Sequence, residues 1–167
     1  GKIEDKEVTR FIDPTYKINS GEKIIKKDTN QVHLCFNSKG VGLLDKNKYP
    51  AAIISSVLGG NMSSRLFQKI REEKGLAYSV YTYSTAFIED GVFTVYAGTT
   101  KESYKEVLEI IKTELSDIKE NGITAYELQK SKNQFLSLLT FALEGTKEKM
   151  ERMANSYLTY DLSLIHI

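Results

Sequence analysis

The stretch SSRLFQKIREEKGLAYSVYTYSTAFIEDGVFTVYAGT, Ser63–Thr99, decides the fold because its apolar period changes partway along. Leu66, Phe67 and Ile70 fall on one helical face, with Ser63 or Ser64 placed to cap a helix running to about Lys74. Gly75 follows at the position where helices commonly end in the left-handed region. Ala77–Phe87 and Val92–Gly98 then read as strands, joined through Glu89-Asp90-Gly91. Asp-Gly between β-rich runs is a strong hairpin signal. A helix therefore turns at a glycine into an antiparallel hairpin.

Upstream of this corner, Lys48–Leu58 has helical spacing, with Pro50 in the first turn where it is tolerated and Gly59-Gly60 ending the helix. Before that lie two short strand-like runs, Lys23–Lys27 and Gln31–Asn37. In the second, Val32, Leu34 and Phe36 alternate with His33 and Cys35. Downstream, Thr99 with Glu102 and Thr124 with Glu127 have the spacing of capping boxes. They open two helices, the second running to about Glu144. Met150, Met153, Ala154, Tyr157 and Leu158 mark a last amphipathic helix. The expected class is α+β, with helices packed on one face of a mostly antiparallel sheet.

Composition narrows the function. The 167 residues carry 23 basic and 22 acidic side chains, a net charge of +1, so no bulk field recruits nucleic acid or a membrane. The longest apolar run, Phe135–Leu143, is interrupted by Ser137 and Thr140 and falls far short of the roughly twenty residues a spanning helix needs. Cys35 is the only cysteine, which excludes an intrachain disulfide and points to a reducing, cytoplasmic location. His33 and His166 are the only histidines, and neither an H-E-x-x-H motif nor a cysteine pair accompanies them. The chain thus offers no metal site and no recognisable Ser-His-Asp or Cys-His nucleophile. Gly59-Gly60 lacks the lysine and following Ser or Thr of a phosphate loop.

Two readings of Lys74–Tyr81 remain. Lys74, Gly75, Ala77, Tyr78 and Tyr81 fit an RNA-recognition strand, but Leu76 and Ser79 break it. Strict alternation would also put Tyr81 and Tyr83 opposite Tyr78, as sheet packing rather than a stacking platform. The other reading pairs Arg71 with Tyr78. Arg71 lies one helical turn before Gly75, roughly 6 Å along the axis. Tyr78 lies about 10 Å beyond it along a strand. A reversal at Gly75 lets the guanidinium and the phenol converge. Arginine offers a fork of donors to a peptide carbonyl, and a phenol can donate to a developing oxyanion. On spacing alone, the more ordinary outcome is Arg71 in a surface pair and Tyr78 in the core.

The wider stretch Leu58–Thr99 resembles the second-half domain of pitrilysin/insulinase-type zinc peptidases, most closely the mitochondrial-processing-peptidase-like bacterial members. Gly59, Gly60, Ser63, Ser64, Arg65, Leu66, Phe67, Arg71, Glu72, Gly75, Leu76, Ala77, Tyr78 and Ser79 carry the resemblance, and Ile123–Leu139 is similar to the next family helix. Asn61 stands where a third glycine is common. The resemblance implies one of two homologous halves facing each other across a closed chamber. Zinc would be bound by the missing first half through an inverted H-x-x-E-H motif, with none held here. Arg71 would bind a substrate backbone carbonyl, and Tyr78 would stabilise the tetrahedral intermediate of peptide hydrolysis.

The implied partners are the zinc-bearing half, in the same chain or as a subunit of a homo- or heterodimer, and a peptide substrate. An alternative is a catalytically silent partner or core subunit of the same superfamily; an RNA-binding sheet is the remote one. Residues 1–22 read as a linker or arm and 23–161 as the truncated C-terminal peptidase half-domain. Residues 162–167, LSLIHI, do not resemble the family and read as a non-native tail.

Overall fold

The structure, a computed structural model, describes residues 19–88 and 90–160. The expectations for most of the N-terminal arm and for the 162–167 tail lie outside these residues. Three strands, β1 (Val32–Lys39), β2 (Ala77–Ala86) and β3 (Gly91–Thr99), form an antiparallel sheet in the order β1-β3-β2. Among the described residues the α-helices are α1 (Lys48–Gly59), α2 (Tyr104–Asn121), α3 (Ala125–Ala142) and α4 (Thr146–Tyr160). A short π-helical segment, Phe67–Glu72, precedes β2. The α+β expectation holds.

Helices cover one face of the sheet. Val80, Val95 and Ala97 point inward and meet Leu58, Leu66, Ile70, Val107 and Ile111 in one buried core. α1 and the π-helical segment lie against β2, while α2 reaches β1 and β3. Thr82, also facing inward, donates to the Ser55 carbonyl at 2.7 Å, so this buried hydroxyl ties α1 to the sheet. Ser56 and Asn61 both donate to the Gln134 side chain, at 3.1 and 2.8 Å, joining α1 to α3.

An ionic cluster joins the segments that flank the sheet. Arg65 donates to Glu127 from Nε at 2.6 Å and to Asp117 from Nη1 at 2.5 Å. Glu114, only 2% exposed, is paired with Lys69 and lies 3.8 Å from Arg65. The Arg65 hydrogen bond, helped by the Thr124 backbone, holds the Glu127 carboxyl down at about 2. The Asp117 carboxyl is likewise lowered, first by Asn121 and then by Arg65. Reciprocally, these carboxylates raise the Arg65 pKa, Glu127 most.

Several local expectations are corrected. Lys23–Lys27 is not a strand; the segment is exposed, and among the described residues no strand pairs with it. The Thr99–Glu102 capping box does not form, because Thr99 ends β3 and donates its hydroxyl to the Leu76 carbonyl at 2.5 Å. α2 starts later, after Ser103. Neither Ser63 nor Ser64 caps the next helix in the expected way. The Asn61 side chain instead accepts from the Ser63 N–H at 2.9 Å and hydroxyl at 2.8 Å, while Ser64 donates to the Asn61 carbonyl at 2.5 Å. By contrast, the Thr124–Glu127 capping box is fully formed. α4 forms as expected, with Met150, Met153, Tyr157 and Leu158 all exposed.

Candidate functional site

The site grows from the corner between the π-helical segment and β2. A π-turn carries more residues per turn than an α-turn and is often found at functional positions. Leu66 and Ile70 stay buried, while Arg71 emerges beside Phe67, its guanidinium carbon 4.9 Å from that ring centre. The Leu76 N–H closes back on the Ile70 carbonyl at 2.8 Å, and Gly75 adopts φ +62 between them. That conformation costs an L side chain roughly 1–2 kcal/mol, which glycine avoids.

The chain then enters β2 through an irregularity. Ala77 pairs with Thr99 and Ser79 pairs with Gly98, so Tyr78 has no partner residue on β3. This is a β-bulge, a device that re-aims a side chain at the price of one broken rung. Tyr78 is 79% exposed, with the Arg71 guanidinium carbon 5.9 Å from its ring centre. Arg71, Tyr78, Gly98, Thr99, Gln31 and Leu76 line a shared open recess of about 350 Å³. The two residues singled out from the sequence are therefore brought together at one recess.

The bulge overturns one expectation. Because it shifts the alternation by one residue, Tyr81 and Tyr83 share the open face of the sheet with Ser79 while Val80 and Thr82 face the core. They are 44% and 47% exposed and do not pack into the interior. The same open face holds a group that sequence reasoning passed over. Tyr96 lies opposite Tyr81, with ring centres 4.7 Å apart, and its hydroxyl lies 2.7 Å from His33 Nδ1. The period-two pattern of β1 placed His33 on that face; Tyr96 required the pairing register.

Among the described residues no group of three or more His, Cys, Asp or Glu side chains could hold a metal ion. No helix there is long and apolar enough to cross a membrane.

A family profile described as the Peptidase M16 inactive domain matches residues 1–135, and the chain belongs to that family. A Bacillus subtilis protein named "Uncharacterized zinc protease YmxG" is 44% identical over 127 residues, which cover 76% of this chain and 31% of that protein. The chain thus spans about a third of that relative's length. A solved peptidase M16 inactive domain from Pseudomonas fluorescens superposes with a TM-score of 0.62 at 26% identity, over 65% of this chain and 26% of that one. A protease from Helicobacter pylori shares the fold, with a TM-score of 0.73 at 22% identity over 81% of this chain and 33% of that one.

Proposed function

We propose that this chain is the substrate-binding half of a zinc metalloendopeptidase that cuts peptides or unfolded polypeptides inside a closed chamber. The zinc-bearing half would lie in the same chain or in a partner subunit. The described residues do not fit a metal, so the chain's own part in the chemistry is to bind and polarise the peptide. The convergence of Arg71 and the bulged Tyr78 on one recess carries this reading. Arg71 holds a substrate carbonyl with its planar fork of donors. Tyr78 donates its phenolic proton to the oxygen that gains negative charge as the peptide bond is attacked. Both groups are presented from one corner, where the helix turns at Gly75 into β2, so a bound peptide would meet them together. The zinc-protease names of relatives support the reaction class. The exposed lone Cys35 fits a reducing compartment, and we place the protein in the cytoplasm.

The test uses the protein with both halves present, cutting an unstructured peptide. Tyr78→Phe removes one oxyanion donor and is expected to lower kcat by about 10²–10³-fold. Arg71→Ala is expected to lower kcat/KM by about 10- to 100-fold, the range of a charge-assisted hydrogen bond. Wild-type activity in both variants would sink the reading. The isolated chain is expected not to cut the peptide.

A further inference from the structure

The sheet face opposite the core carries an aromatic surface that begins where the recess ends. Its rows across the three strands are His33–Gly98–Ser79, then Cys35–Tyr96–Tyr81, then Asn37–Thr94–Tyr83. Tyr81 and Tyr96 stack at 26° between planes, and the Tyr83 ring follows 6.1 Å from Tyr81. The Tyr96 hydroxyl is engaged by His33 and one ring face is stacked on Tyr81, which leaves the rest of the stacked pair's apolar surface for contact. A Cβ at position 98 would lie 2.9 Å from Ser79 Oγ and 3.3 Å from the Tyr96 hydroxyl. The phenol can lie this low because residue 98 is glycine. Gly98 is also part of the recess lining, so recess and aromatic surface share a wall.

We propose that Tyr96 and Tyr81 form a side-chain subsite, contiguous with the Arg71–Tyr78 recess, that favours substrates with an aromatic or large apolar residue two or three positions from the bond cut. The proposal rests on the reading of that recess as peptide-binding. The spacing follows from the strands: the Tyr96–Tyr81 row lies two residues beyond the Gly98–Ser79 row, about 7 Å along the sheet. An extended peptide covers that distance, plus the offset to Tyr78, in two or three residues. The chemistry of the occupant follows from the lining. None of the three rows carries a lysine, arginine or carboxylate, so phosphates would find no counter-charge there. An aromatic side chain would instead gain offset stacking against fixed rings.

The experiment measures kcat/KM with both halves present, for peptides differing only in Phe or Ala at the second or third position on either side of the cleaved bond. Wild type is expected to favour Phe by about three- to tenfold at one of these positions. Tyr96→Ala and, independently, Tyr81→Ala are expected to bring that ratio towards one. Tyr96→Phe keeps the ring and is expected to keep most of the preference. Circular dichroism establishes that each variant is folded, and Tyr81 on its edge strand serves if Tyr96→Ala is not. No wild-type preference overturns the proposal. So does a ratio unchanged in the alanine variants, including an equal slowing of both peptides. Tyr78→Phe run in parallel keeps the two readings apart. It should slow Phe and Ala peptides alike, and its failure to do so removes the oxyanion role without touching the preference ratio.

Discussion

Asn61 and Gly75 show how single residues set the path of the chain between α1 and β2. Asn61 uses every polar group of its side chain: its carbonyl oxygen accepts twice from Ser63, and its amide donates to Gln134 and the Ser56 carbonyl. Where glycine would only permit the turn, asparagine fastens it to α1 and α3. Asn61→Gly should therefore lower stability by about 1 kcal/mol, read from the denaturant midpoint, despite restoring the residue common in the family. Gly75 acts through its backbone. Nothing lies within 4 Å of a Cβ built there, so space is not the obstacle, whereas φ +62 is. Gly75→Ala is expected to cost about 1–2 kcal/mol, and Gly75→Asn, which tolerates this region better, measurably less.

At the scale of elements, Arg65 couples the start of the π-helical segment to α2 and α3. Its removal would leave Glu114 buried with only Lys69, and would leave Glu127 without its main partner. Arg65→Ala is expected to destabilise by about 3 kcal/mol or more, measured by urea unfolding. This cluster was not legible in the sequence, because its oppositely charged partners are separated by 45 to 62 positions. Local patterns read better. The alternation in β1, the Asp-Gly hairpin and the Thr124–Glu127 box are each written within a few neighbouring residues, and each formed. Thr99 and Glu102 had the same capping spacing, but strand pairing took Thr99 first. The corner was legible as helix, glycine and strand, and the Arg71–Tyr78 encounter followed from that. The bulge was not, since an unpaired residue appears only once the partner register is known. Reading Tyr78–Tyr83 with an unbroken period of two consequently set Tyr81 and Tyr83 on the face opposite Tyr78, whereas all three are exposed and Tyr81 packs on Tyr96 across the open face.

For the molecule as a whole, the ion cluster sets the response to acid. The folded-state pKa of Glu127, about 2, lies below its ordinary value of 4.5, so its contribution is complete above about pH 4.5 and lost as pH falls towards 2. Asp117 shifts in the same direction. The Glu127 part is on the order of 2–3 kcal/mol. Glu127→Gln should thus differ most from wild type near neutrality and converge with it near pH 2, in denaturation midpoints followed against pH. Tyr78 behaves oppositely. It stands outside the strand ladder and is mostly bathed in solvent, so the fold asks almost nothing of its side chain. Tyr78→Ala should change unfolding free energy by no more than about 0.5 kcal/mol. On the oxyanion role proposed for it, variation at this position would be filtered by activity alone: a damaging change there would yield a well-folded, abundant and inert protein, which still occupies the place of a working one in any assembly it joins.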